Sequence, residues 1–457
     1  MLPLLPTLDQ TPQVIFDSGQ RYACEGCDAR CCKFPWKILL NKEEAYRLSQ
    51  IPWIMARLKE TQTGFIPDSS VYRLPRAPHV SGEMACVFLG SDNACMIQQR
   101  EGHDVLPFTC QSYPFSFLVQ PHQMQDPQAE AYAVNSFFCK SIQENTGDDL
   151  QGKARHKYRM THRAGRLLTF PETVKLGKVL LPAESYRPMT HALLSLWDEK
   201  LLERQTQENL EDLGRAQDAP TDPVGWALNK GFSLLLGVEK ILLPLSEAER
   251  PSSPESWQEI TQRAKLFQLK LNKHASSNWG RLLLAIHLMS QVVHGAHDEA
   301  MLAGKAPRMP PLEFYRSFWR LIRSQGTVPL WGLKEPIDLS LVAQVKWPED
   351  SGETAQLFKR YYRQFIQSEW LFYTQENLLR HYLVLMSSYA YARFYAQALA
   401  ASEARQEVTS ADCLKGIGYA DVLASISHRR GEGRLDQVKS LLLDYLLTRP
   451  ELCLGLL

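Results

Sequence analysis

The chain has 457 residues, of which 44% are hydrophobic and 22% charged, with 51 Lys plus Arg against 50 Asp plus Glu. That length buries a sizeable core without cross-links and suggests about two to three domains. The balanced charge excludes a surface-wide field that would steer nucleic acid. The opening MLPLLPTLDQTP lacks a basic n-region, and prolines and an aspartate interrupt its apolar run, so no secretory signal is expected. The longest apolar runs, FSLLLGV at 232–238 and KILLPL at 240–245, fall short of the roughly 20 residues that span a bilayer. The expected location is the cytoplasm, with neither membrane nor nucleic acid as a partner.

Residues 1–20 read as an N-terminal arm, and residues 21–145 as a cysteine-rich metal or iron-sulfur binding domain. Within the latter, NKEEAYRLSQIPWIMARL at 41–58 predicts a helix with Asn41 as N-cap and Glu44 at the capping-box position. VYRL and CVFLG predict short strands in a stretch rich in Gly, Pro and Ser, and GSDN at 90–93 predicts a turn.

From 146 to 457 the pattern is helical, divisible into two subdomains near 300–310, where PRMPPLEF breaks the pattern. GRAQDAPTDP at 214–223 and SEAERPSSPES at 246–256 read as linkers or exposed loops. The segment 354–403 carries long apolar periodicity and predicts two or more packed helices, and 433–448 predicts a last one. The expected fold class is therefore mostly α: an irregular cysteine-rich metal-binding N-terminal region with few short strands, followed by an α-helical region.

Eight of the ten cysteines lie before residue 140: Cys24, Cys27, Cys31, Cys32, Cys86, Cys95, Cys110 and Cys139. A reducing cytosol disfavours structural disulfides and favours metal binding or redox chemistry for clustered thiols. The first four form C-x2-C-x3-C-C, and two thiolates two residues apart can face one ion across a tight turn. Adjacent side chains diverge, so Cys31 and Cys32 are not both expected on one ion, and a disulfide between neighbours is strained. All eight are candidate metal ligands, for zinc or a 4Fe-4S iron-sulfur cluster alike, with thiol redox exchange and plain packing as the alternatives. Cys413 and Cys453 read as buried small hydrophobes. His79 and His103 could replace a thiolate on zinc but lack compact partner spacing. The run KARHKYRMTHRAGR at 153–166 reads as a solvated basic face, with anion binding as the alternative.

The sequence C24-x2-C27-x3-C31-C32, with Cys86-Val-Phe-Leu, Ala94-Cys95-Met-Ile-Gln and Phe108-Thr-Cys110-Gln-Ser-Tyr113-Pro114, resembles the YkgJ-type cysteine-cluster family of zinc- or iron-chelating proteins. CMIQQREGHDVLPFTCQSYP is similar to its long flagellin lysine N-methylase branch, and Glu376 and Asn377 match a helix of that branch. The resemblance implies an iron-sulfur cluster or zinc and methyl transfer from S-adenosylmethionine, with a protein bearing surface lysines as partner. The residues themselves show no Gly-rich βαβ opening for such a donor and name no catalytic side chain. A non-enzymatic metal-stabilised interaction scaffold and an electron-transfer or cluster-delivery protein therefore stay open beside a methyltransferase.

Overall fold

The computed structural model describes residues 14–197, 222–266, 311–347 and 352–427, with breaks at 17–18, 25–26, 34–37, 83, 121–129, 247–248, 331–332, 334 and 374–376, and a few isolated positions besides. The arm up to residue 13, the linker up to 221, the subdomain division at 300–310, the helix at 433–448, Glu376 and Cys453 lie outside the described residues.

The chain between residues 38 and 112 builds a small unit around its own apolar core. Asn41 opens the helix Lys42–Ser49 with the expected capping box: its Oδ1 accepts from Glu44 N at 2.7 Å, and Glu44 Oε2 accepts from Asn41 N at 2.8 Å. The other Glu44 oxygen accepts from Phe108 N at 2.6 Å, which ties this helix to the short helix Phe108–Ser112. Pro52, with no N–H to satisfy, starts the next helix, Pro52–Glu60. Leu48, Ile54 and Leu58 from these two helices close over Leu40, Phe88, Ile97 and Leu106. A three-stranded antiparallel sheet flanks them, in the order Leu39–Leu40, Val71–Arg73, Ile66–Asp68, beside a hairpin of Arg76–Pro78 with Met84–Cys86. The GSDN turn closes as predicted, with Gly90 N donating to Ala94 O at 2.9 Å and Asn93 left-handed. Phe88 is fully buried and meets the Trp53 ring edge-on at 6.0 Å. Phe88→Ala is expected to cost about 3–5 kcal/mol of stability, read as a lower denaturant midpoint.

The larger core begins on a mixed sheet in the order Val14–Ile15, Ala131–Asn135, Phe115–Val119, Leu168–Thr169. Its central antiparallel pair sets Phe115 opposite Asn135 and Phe117 opposite Ala133. The helix Leu150–Arg163 covers it, with Tyr158 edge-on to Phe117 at 5.6 Å. The same core runs on through the helices Pro223–Leu242, Pro254–Lys265, Gly352–Gln367, Leu378–Ser402 and Ser410–Ser427. The expected helices in 354–403 are thus two, broken between Gln367 and Leu378. Asn377 caps the second by accepting from Leu379 N at 3.1 Å, and also receives Gly177 N at 3.0 Å.

The described residues are mostly α with short strands, and the expected fold class needs one correction. Among the described residues before 112 no side chains are grouped as a metal knuckle; ordinary apolar packing around Phe88 holds the unit from 38 to 112. Among the described residues, no helix is long and apolar enough to cross a membrane.

Candidate functional site

The residues that carry the first thiols are pinned by the turn that follows Cys139. Arg21–Tyr22 pairs antiparallel with Asp148–Asp149, so Tyr22 stands opposite Asp148. Ala23 N donates to Ser141 Oγ at 2.7 Å, and Arg21 N donates to Asn145 Oδ1 at 2.7 Å. Gly147, at φ +103°, passes so close that a Cβ there would lie 2.6 Å from Ala23 Cβ, which is why this position takes glycine.

This docking leaves Cys24 exposed at the end of the pinned segment. Its neighbours, Cys27 first and then Tyr22, bring the Cys24 thiol down to about 7. Cys27 moves the opposite way, raised by the neighbouring Cys24 thiol and by burial. The Ala29 N–H points at Cys27 Sγ from 3.4 Å.

Cys31 and Cys32 share the short helix Arg30–Lys33, with sulfurs 3.9 Å apart. Their contact lowers Cys31, while the same contact and burial raise Cys32. Of the two, Cys32 packs against the small core and so is the one that faces inward. Cys95 and Cys110 also pack on that core, and Cys86 is part of it. Burial pushes Cys86 up to about 12 and raises Cys95 and Cys110. Cys139 packs instead on the large core and is likewise pushed up to about 12 by burial.

The eight thiols are therefore neighbours that do not converge. The charge of Cys31 is felt at Cys24, Cys86, Cys95, Cys110 and Cys139. Yet among the described residues no group of three or more His, Cys, Asp or Glu side chains is arranged to hold a metal ion. Cys31 and Cys32 lie within hydrogen-bonding reach of each other, and Cys86, Cys95, Cys110 and Cys139 are divided between two apolar cores. His79 is also engaged elsewhere, its ring nitrogens 3.0 Å from Gly90 O and Ser81 Oγ.

The basic run at 153–166 needs correction as well. Lys157 is only 7% exposed, and its Nζ donates to Gln111 O at 2.6 Å and Tyr113 O at 2.7 Å. Burial lowers it to about 8, against the charges of Cys24, Cys139, Cys110 and Cys31, which support the ammonium. Lys153 reaches Tyr22 O at 3.1 Å and Asp148 at 2.8 Å. Sequence reasoning could not single out Lys157 within a run of cations. The signal lies in its period, one turn from Ala154 and Thr161 on the buried face of the helix.

Two other residues complete the surroundings. Asp421, from the helix Ser410–Ser427, accepts from Ser136 Oγ at 2.7 Å and from Phe138 N and Tyr361 Oη at 3.3 and 3.4 Å. Gln143 accepts from Arg30 Nη1 at 2.6 Å and donates to Leu414 O at 2.8 Å, and its backbone carbonyl receives Arg360.

No protein family, no curated protein and no solved structure matches this chain. The resemblance to the YkgJ-type family and its flagellin lysine N-methylase branch is therefore corrected: short similar strings around cysteines do not extend to a family match. With it go the iron-sulfur cluster, the zinc, S-adenosylmethionine and methyl transfer, together with the metal scaffold and cluster-delivery alternatives. The thiols remain, and their own chemistry has to account for them.

Proposed function

We propose that the chain is a dithiol protein that exchanges with disulfides through Cys24 and Cys27, in a cytoplasmic, reducing compartment. The observation that carries this reading is the exposed Cys24, held at the end of the pinned segment and in C-x2-C spacing with Cys27. A thiol lowered by its neighbours carries more thiolate at neutral pH than the roughly 3% of a free cysteine. An attacking thiol is most effective when its pKa lies near the ambient pH.

The chemistry needs no further group. The Cys24 thiolate attacks one sulfur of a disulfide, forming a mixed disulfide and expelling the other sulfur as a thiolate, which takes up a proton. Cys27 then loses its proton and attacks Cys24 Sγ, forming the Cys24–Cys27 disulfide and releasing the second thiol. The protein dithiol is oxidised by two electrons and the substrate disulfide is reduced. The raised Cys27 keeps the second step waiting until Cys24 has lost its negative charge.

Hydroxyethyl disulfide is a suitable probe, followed by intact mass after an acid quench. The wild type is expected to pass through a transient adduct to a product two hydrogens lighter. Cys27→Ser is expected to stop at the adduct, and Cys24→Ser to form neither. Reaction of Cys24→Ser at the wild-type rate would remove Cys24 from this role.

A further inference from the structure

The small unit around Phe88 carries a cleft that the dithiol chemistry does not use. It opens between the hairpin of Arg76–Pro78 with Met84–Cys86, the GSDN turn, and the helices Pro52–Glu60 and Met96–Glu101. Its volume of about 460 Å³ falls within the range of roughly 300–1,000 Å³ that small-molecule sites occupy. Buried Val87 and Leu89, with Met96 and Pro78, give it an apolar wall, and Val80 lines it while standing 78% exposed. Neither Cys24 nor Cys27 lines it.

The polar groups along the cleft are satisfied within the protein, with one exception. Arg57 donates through Nε to Val87 O at 3.2 Å and through Nη1 to Glu60 at 2.9 Å. Asp92 accepts from Ala94 N at 3.0 Å and from Gln99 Nε2 at 2.9 Å. His79 accepts from Ser81 N at Nδ1, so its Nε2 carries the proton given to Gly90 O and the ring is neutral. Arg100 is the exception: among the described residues it has no carboxylate partner. Its guanidinium lies over the Trp53 ring, 4.7 Å from the centroid, and the adjacent Glu101 is turned instead to Trp53 Nε1, which donates to it at 2.6 Å. Trp53 meets Phe88 edge-on, so the platform under the guanidinium is fixed before anything binds. A planar, pre-oriented guanidinium takes a carboxylate through two parallel hydrogen bonds and loses little freedom in doing so.

We propose that this cleft binds a small monocarboxylate with an apolar body, the carboxylate on Arg100 and the body against Val87, Leu89 and Met96. One uncommitted cation calls for one negative charge. A dianion would have to displace Glu60 from Arg57 and would meet the charge of Asp92 as well. Binding here is independent of the dithiol reading.

Isothermal titration of the full chain with 2-naphthoate tests this, with 2-naphthamide as the uncharged ligand of the same shape. Naphthoate is expected to bind about tenfold more tightly than naphthamide, since hydrogen bonds between charged groups are the stronger. Arg100→Gln is expected to remove that advantage, weakening naphthoate about tenfold and leaving naphthamide unchanged. Val80→Asp, at an exposed side chain where folding is not at risk, sets a like charge in the cleft and is expected to weaken naphthoate as well. Naphthoate that fails to bind at millimolar concentration, equal affinities for the two ligands, or an Arg100→Gln protein that binds naphthoate like wild type would each overturn the site. Wild-type binding by Val80→Asp would place the carboxylate on Arg100 outside the cleft, and would overturn it too.

Discussion

Gly416→Ala is expected to destabilise the protein by about 3 kcal/mol, near the upper end of what overpacking a tight contact costs. Gly416 lies where the helix Ser410–Ser427 crosses Leu378–Ser402, and a Cβ there would fall on the Ala392 carbonyl oxygen, with Ala396 N only 3.3 Å away. The obstacle is backbone rather than the end of a flexible side chain. Relief therefore requires the helices to separate. Their shared face carries Tyr395 tilted against Tyr419, ring centroids 4.6 Å apart, and the fully buried Ala392 and Ile417. Separation would loosen these together, because dispersion contacts fall away within an ångström. Urea unfolding should report a lower midpoint. A midpoint equal to wild type would mean that the helices do not approach this closely in solution.

The second large effect concerns Asp421. Asp421→Ala is expected to cost about 3 kcal/mol, because it removes the acceptor for Ser136 Oγ, Phe138 N and Tyr361 Oη and leaves buried donors unsatisfied. Asp421→Asn separates the charge from the hydrogen bonding. Burial raises the carboxyl from its ordinary 3.8 to about 6, against the stabilising bonds from Ser136, Phe138 and Tyr361. A carboxyl raised in the folded state holds its proton more tightly there than in the unfolded chain. Its contribution is fully present below about pH 4 and is lost as pH rises through 6. The stability of wild type relative to Asp421→Asn should therefore improve on acidification from pH 7 toward pH 4, by on the order of 3 kcal/mol at full extent. A difference that is flat with pH would place an ordinary carboxylate at this position.

What the sequence made legible was local. The Asn41–Glu44 box and the GSDN turn each follow from residues within four positions of one another, and each forms as its chemistry directs. The thiols were legible as a group but not in their arrangement. C-x2-C spacing is shared by metal sites and exchange dithiols, and the difference lies in what the later cysteines do. Cys86 and Cys110 are taken up by the core around Phe88, and Cys139 by the other core. Those allegiances depend on contacts between distant segments that spacing does not encode. Lys157, Asp421 and Gln143 were missed for the same reason. Each looks unexceptional within its own helix or turn, and acquires its role only from partners brought in by the fold.

Gln143 has a consequence for biosynthesis. The helix bearing Cys31 and Cys32 is fastened through Arg30 to Gln143, and Gln143 is fastened to Leu414, 271 positions later in the chain. At roughly 5–20 residues per second, a ribosome needs on the order of tens of seconds to travel that distance. Throughout that interval all eight N-terminal cysteines have been made while the final clasp has not. The nascent chain therefore depends on a reducing environment, or on protection by a chaperone, to reach its native thiol pairing without being trapped in a premature cross-link.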